Sequence, residues 1–143
     1  MSAVQLSPTT WQLALVSVSR NVVDLFEMSP GPVVSWVGCV PLPSGGLLRG
    51  MSPSGIALPI KDAILISRGP TIGTGWGGLR PLFIRLMNLM RYPMGDVLLW
   101  TREANWTHVS HSLGSFPSDV VVHRNHIIFS DNGTHQMMAG RPE

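Results

Sequence analysis

The last part of the chain, from residue 93 to residue 135, alternates hydrophobic and polar positions most clearly. It contains β-branched and apolar runs bounded by Pro, Gly, Asn and Asp, a composition typical of strands. Arg124-Asn125 and Asn132-Gly133 leave room for tight turns, the second because both of its residues tolerate a positive φ. The pattern predicts an antiparallel meander, with strands at residues 97–101, 109–113, 119–122 and 126–129.

The hydrophobic positions before the meander predict two helices. Residues 79–91 place Leu82, Phe83, Leu86 and Met90 on one face and the arginines largely off it, so we expect a helix with this apolar face buried. Residues 10–28 carry apolar side chains at helical spacing and predict a second helix, although residues 12–18 also alternate as a strand does.

The remaining segments predict connections and one further strand. Pro- and Gly-rich stretches indicate loops at residues 41–59 and 69–78, and residues 1–8 predict a loose N-terminus. Residues 60–67 have strand character. Residues 59–68 resemble residues 93–102, and we interpret the two segments as similar strand openings.

Together these elements predict one α+β domain over residues 1–143. Its sheet is expected to be mainly antiparallel and to lie in the C-terminal half, with one or two helices packed against it. A chain of 143 residues is long enough to enclose a hydrophobic core.

Composition narrows the functional classes only a little. Charged residues make up 13% of the chain and the net charge is +2, so charge alone is weak support for nucleic-acid binding. Cys39 is the only cysteine, which excludes an intramolecular disulfide. The sequence shows no apolar run of the roughly 20 residues that a membrane-spanning helix needs, and no export signal. We therefore expect a cytoplasmic protein, located in the host cytoplasm if it is viral.

The histidines are the main candidates for metal ligands. His108 and His111 are three residues apart, as are His123 and His126. Neutral imidazole is a common zinc ligand, but residues three apart on a strand point to opposite faces. We therefore predict no metal site. The glycine-rich stretch at residues 69–78 lacks the Gly-Lys-Ser/Thr ending of a phosphate-binding loop, and no cofactor is predicted.

The order of residues in the meander resembles the core of the papain-like NlpC and LRAT superfamily. The resemblance rests on Gly95-Asp96 at the opening of a strand, His108 at the head of the next and His123 one strand further on. This group includes bacterial cell-wall peptidases, phospholipid-modifying acyltransferases and the H-box/NC proteins of some picornaviruses. In its enzymes a cysteine thiolate attacks an acyl carbon while a histidine takes and returns the proton. The resemblance implies that Cys39 is the nucleophile, His108 the base and His123 the residue that orients the imidazole.

The surroundings of Cys39 depart from the family's pattern. The chain reads Val-Gly-Cys39-Val-Pro, whereas NlpC-type enzymes have Asp-Cys-Ser-Gly and LRAT-type proteins have Asn-Cys after the histidine. The leading hypothesis is a Cys/His hydrolase-like or acyltransferase-like domain, active or with its activity lost. The alternative is a non-enzymatic accessory protein, viral in one version, that binds a protein or RNA partner through the arginine-bearing helix.

Overall fold

The computed structural model describes residues 1–31, 33–43, 51–70, 79–90, 92–110, 112–114, 117–123, 126–131 and 136–140. Within these ranges the chain forms strands throughout and one α-helix, α1 (Leu79–Leu89), between the sixth and seventh strands. The strands are β1 (Ser2–Ser7), β2 (Thr10–Ser17), β3 (Val22–Ser29), β4 (Val33–Pro41), β5 (Met51–Ala57), β6 (Ala63–Pro70), β7 (Asp96–Thr101), β8 (Asn105–His108), β9 (Pro117–His123), β10 (His126–Asp131) and β11 (Gln136–Gly140).

The strands form three antiparallel sheets, each made of neighbours along the chain. The first sheet contains β1, β2, β3 and β4 in that order, and the second contains β5, β6, β7 and β8. The third has β10 in the centre, flanked by β9 and β11. Every pair is antiparallel and consecutive, so short connections can join most of the strands, while the connection between β6 and β7 contains α1.

The second sheet is the middle layer of the molecule, because both of its faces are buried. One face packs Ile64 against Val23 of the first sheet, in a core that also contains residues of β2 and β4. The other face packs Leu65 against Phe129 of the third sheet. Every residue of β6 from Ala63 to Gly69 is buried. Its sequence, Ala-Ile-Leu-Ile, therefore shows no alternation of polar and apolar positions.

The prediction of an α+β fold with helices packed on a C-terminal sheet is wrong. Strands run from residue 2 to residue 140, and α1 is the single helix in the described part of the chain. The segment at 1–8, expected to be loose, contains β1, and the loop expected at 41–59 contains β5. The Pro and Gly residues of these stretches weaken the strands locally, but they do not prevent the strands from pairing.

The helix predicted for residues 10–28 is also wrong, because this segment forms the hairpin of β2 and β3. The connection passes through Asn21, whose φ of 55° suits a turn. On β2, Ala14 is buried against the second sheet while Leu15 points the other way and is exposed. Since both faces of this hairpin are apolar, the two-residue period of the strand is hidden and a helical spacing can be read in its place.

Three of the strands predicted in the meander are confirmed, as β7, β9 and β10. The strand at 109–113 is wrong: β8 ends at His108, and the Val109 N–H donates to the Val97 carbonyl 3.0 Å away as the chain leaves the sheet. The strand expected at 60–67 is β6, which begins at Ala63. The turns at Arg124-Asn125 and Asn132-Gly133, and residues 71–78 of the glycine-rich loop, lie outside the described residues.

Candidate functional site

Cys39 lies on β4, at the edge of the first sheet, and points away from the second sheet. Its register partner is Asp24, while the next residue, Val40, is buried in the core between the two sheets. The thiol is exposed. Cys39 is therefore presented by a strand, and not by the helix N-terminus that NlpC-type enzymes use for their cysteine.

His108 ends β8 in a different environment. Its register partner, Leu98, belongs to the face of the second sheet that packs against the first. Because side chains alternate across a strand, His108 lies on this inner face while Cys39 lies on the far side of the first sheet. Within the described residues no hydrogen bond joins the two side chains.

The imidazole of His108 is oriented by a buried carboxylate. Its Nδ1 atom lies 3.1 Å from Oδ2 of Asp96, whose side chain is 8% exposed, whereas that of His108 is 71% exposed. The imidazole is thus close to a buried carboxylate on one side, while most of the ring is in water. A carboxylate that accepts a hydrogen bond from the ring would orient a general base, and Asp96 lies where the resemblance implied His123.

His123 lies at the end of β9, and among the described residues no hydrogen bond or ion pair joins it to His108 or Asp96. Val122 beside it packs into the core of the second and third sheets, so His123 points outward from the third sheet. Its register partner is His126 on β10. Among the residues described, no group of three or more His, Cys, Asp or Glu side chains is placed to hold a metal ion.

The sequence did not predict the contact between His108 and Asp96, or the ion pair between Asp96 and Arg68. The guanidinium of Arg68 donates from Nε to Oδ1 of Asp96 over 2.9 Å and from Nη2 to Oδ2 over 2.7 Å. Both side chains are less than 9% exposed. This bidentate ion pair neutralises the carboxylate that His108 contacts.

The signal for this pair was the resemblance between residues 59–68 and 93–102. Each segment has an aspartate six positions before an arginine: Asp62 and Arg68, then Asp96 and Arg102. Since β6 and β7 run antiparallel with Arg68 opposite Asp96, the aspartate of each segment meets the arginine of the other. The second pair, Arg102 to Asp62 at 3.3 Å, closes the opposite end of the two strands. The two similar segments therefore pair in a single register, with one ion pair at each end of β6 and β7.

Gly95, which precedes Asp96 in the motif, is required by a close approach between strands. A Cβ at this position would collide with the carbonyl oxygen of Arg68 and with the ring of Pro117. The Gly-Asp dipeptide thus serves packing here and does not by itself indicate catalysis.

Helix α1 is confirmed at Leu79–Leu89, but the face predicted to be buried is exposed. On the opposite side of the helix, Ile84 is 5% exposed. At about 100° per residue, Ile84 lies nearly opposite Leu86. The apolar stripe, hereafter the α1 stripe, consists of Leu82, Phe83, Leu86, Leu89 and Met90, which are 65%, 37%, 49%, 82% and 57% exposed.

The sequence around α1 carries only positive charge. Between Asp62 and Asp96 it contains no acidic residue and four arginines, at positions 68, 80, 85 and 91. Arg68 is engaged by Asp96, whereas Arg85 is exposed beside the stripe. Helix α1 therefore combines an apolar face in water with one exposed arginine at its side.

Comparison with protein-family models, with curated proteins and with solved structures found no match for this chain. In the part of the chain that is described, no helix has the length and apolar character needed to cross a bilayer. The site is therefore interpreted from its own geometry.

Proposed function

We propose that this protein is a non-enzymatic binding protein that docks on anionic membrane surfaces through α1. The observation that carries the proposal is the exposure of the α1 stripe, since soluble proteins rarely leave a contiguous apolar face in water. Amphipathic helices with basic residues beside their apolar face lie in the plane of anionic bilayers, and Arg85 takes that place on α1.

The composition of the surface favours a membrane over RNA. A nucleic acid would neutralise the arginines but would leave Leu82, Leu86 and Leu89 in water, because phosphate contacts dominate non-specific binding. A bilayer interface accepts both parts of the surface: the leucines enter the acyl boundary and the arginines meet anionic headgroups. Helix α1, with 11 residues, is about 16 Å long and can lie on a bilayer surface.

The expected affinity follows from the apolar side chains. Full burial of a leucine or phenylalanine contributes about 1.5–3 kcal/mol, and each arginine near an anionic surface adds about 1 kcal/mol. Five side chains that begin half-exposed therefore supply enough free energy for reversible binding. We expect the apolar part to resist salt and the arginine part to weaken as salt is raised.

Vesicle flotation tests the proposal directly. The intact protein is mixed with vesicles of phosphatidylcholine alone or of phosphatidylcholine with phosphatidylserine. We expect flotation with the anionic vesicles and little with the neutral ones. Changing Leu82→Ser and Leu89→Ser together should weaken binding at least tenfold, because about two leucine burials are lost. Arg85→Glu should reduce the preference for anionic vesicles.

The matched control makes the same kind of change on other exposed surfaces. Ile60 and Leu113 are 66% and 62% exposed and lie outside α1, so Ile60→Ser with Leu113→Ser should bind as the wild type does. Equal losses in the two double variants, or no binding of the wild type to anionic vesicles, would contradict the proposal. Salt-sensitive binding to single-stranded RNA that survives the leucine changes would assign the surface to RNA.

The second candidate function is the Cys/His hydrolase-like or acyltransferase-like one. The observation in its favour is that Nδ1 of His108 lies 3.1 Å from the buried carboxylate of Asp96, while the His108 side chain is 71% exposed. Cys39 and His123 lie on other surfaces, so this candidate requires a nucleophile to be brought to His108.

Alkylation of Cys39 separates the two candidates. With dilute protein and iodoacetamide at about pH 6, well below the free-thiol value of about 8.5, only an activated thiolate reacts quickly. We expect slow alkylation at the same rate in wild type and in His108→Ala, since no hydrogen bond joins the two side chains. Fast alkylation that disappears in His108→Ala would instead make Cys39 and His108 a catalytic pair.

A further inference from the structure

Three edge strands, one from each sheet, meet at a groove. β1, β5 and β9 each stand at the end of the strand order in their own sheet, so each has one side without a neighbouring strand among the described residues. Two cavities of about 240 and 410 Å³ lie where these strands come together. Met1, Ile56 and Asp119 line both cavities, which are therefore parts of one groove.

The groove follows the unpaired sides of β5 and β9. Every residue from 53 to 59 lines it, and so does every residue from 119 to 122. Because side chains alternate between the two faces of a strand, a cavity that touches consecutive residues lies along the side of the strand and not over one face. The strands that pair with β5 and β9, which are β6 and β10, contribute no lining residue to either cavity. The groove therefore lies where an edge strand presents main-chain groups to another chain.

Two main-chain donors beside the groove are held by side chains and not by strands. The Val120 N–H donates to Oδ1 of Asp119 at 2.9 Å, and the Leu58 N–H donates to Oγ of Ser2 at 3.1 Å. Local bonds of this kind compete with the ladder of a sheet for the same donors. The carbonyl oxygens of an added strand can take both donors, because the two acceptors belong to side chains that can turn away.

The larger cavity has the length of a short strand. β5 and β9 touch where they cross, since a Cβ at Gly55 would lie 2.8 Å from Cα of Asp119. Beyond this crossing, residues 56–59 and 119–122 line the 410 Å³ cavity from its two sides. Four residues of strand are about 13 Å long at 3.3 Å per residue, so an extended segment of about four residues matches this part of the groove.

We propose that the groove binds an extended peptide segment of another protein, which carries a lysine or arginine among aliphatic residues and adds a strand along β9 and the end of β5. The unpaired sides select an extended backbone, because main-chain hydrogen bonds give strand addition its affinity. The walls select aliphatic side chains, since most lining residues are Val, Ile, Leu, Pro, Ala or Met. Asp119 selects the basic residue, because it carries the single charged side chain among these lining residues and is exposed.

Selection of displayed random heptapeptides on the intact protein tests the proposal. We expect the enriched peptides to carry Lys or Arg between aliphatic residues. The most enriched peptide, labelled with a fluorophore, should bind about fivefold or more weakly to Asp119→Lys, because a like charge replaces the carboxylate. Glu103→Lys is the matched control, since it makes the same change of charge on the exposed turn between β7 and β8. It should bind the peptide as the wild type does.

A second control changes the peptide and leaves the protein intact. Methylation of alternate main-chain nitrogens removes the donors of an added strand and keeps every side chain, so binding should weaken about tenfold or more. Equal binding of the methylated peptide, equal losses in Asp119→Lys and Glu103→Lys, or no enrichment on the wild type would overturn the proposal. Self-association of the protein that Asp119→Lys abolishes would assign the groove to a second copy and would also overturn it. Since the lining residues lie outside α1, Leu82→Ser with Leu89→Ser should leave peptide binding unchanged, and loss of binding there would contradict the assignment to the groove.

Discussion

Replacing Arg68 by alanine is expected to lower the free energy of unfolding by about 3–5 kcal/mol, because it removes one partner of a buried ion pair. Asp96 would keep His108 as a contact, but that side chain is 71% exposed and cannot replace two short hydrogen bonds. Urea unfolding followed by tryptophan fluorescence measures the change. The midpoint should fall without a change in the dependence of the free energy on urea concentration.

The repeat provides a matched control for this prediction. Arg102→Ala removes the same side chain from the equivalent ion pair, but Arg102 is 76% exposed. Exposed pairs contribute about 0–1 kcal/mol, so this loss should be small. The double change Arg68→Met with Asp96→Leu should be less destabilising than Arg68→Ala, since it leaves no unpaired charge. Similar losses of unfolding free energy in Arg68→Ala and Arg102→Ala would show that burial does not increase the contribution of the Arg68–Asp96 pair to stability.

Replacing Phe129 by alanine is expected to lower the free energy of unfolding by about 3–5 kcal/mol. Phe129 is 1% exposed and fills the core between the second and third sheets together with Leu65 and Ile127. Truncation would lose the transfer free energy of the ring and leave a cavity that strands on both sides cannot close. Urea unfolding followed by tryptophan fluorescence also measures this loss in the free energy of unfolding.

Phe83→Ala is the control, because it makes the identical change on α1. Phe83 is part of the α1 stripe and is 37% exposed, so we expect a loss of no more than about 1 kcal/mol. Binding to anionic vesicles should nevertheless weaken. A loss as large as that of Phe129→Ala would show that the α1 stripe is packed in solution and would remove the main support for membrane docking.

The C-terminal strands could be predicted because their signals are local. The apolar runs that became β7, β9 and β10 are bounded by residues that favour turns, and each run keeps its character whatever it packs against. Helix α1 was predictable for the same reason, since Leu82, Leu86 and Leu89 repeat at helical spacing. The side of α1 that would be buried was not predictable, because the burial of Ile84 depends on what surrounds the helix in the folded chain.

The hairpin of β2 and β3 shows why the fold class could not be predicted. A strand is recognised by alternation when one face is polar, and here the face that carries Trp11 and Leu15 is as apolar as the face that carries Ala14 and Val23. The period of two is then lost in the sequence. The second sheet has the same property for a different reason, since both of its faces are buried. Only the pairing of the strands distinguishes these segments from helices.

The amino-acid sequence by itself determined the local elements: the C-terminal strands, α1 with its basic apolar surface, and two segments with an aspartate six positions before an arginine. The tertiary structure decided what these elements meet. Antiparallel register turned the two segments into the buried Arg68–Asp96 pair and its exposed counterpart, and it placed His108 on that carboxylate. The alternation of faces put Cys39 on the other side of the first sheet. Periodicity is a property of neighbouring residues, whereas register, burial and the direction of a face depend on residues far apart in the chain.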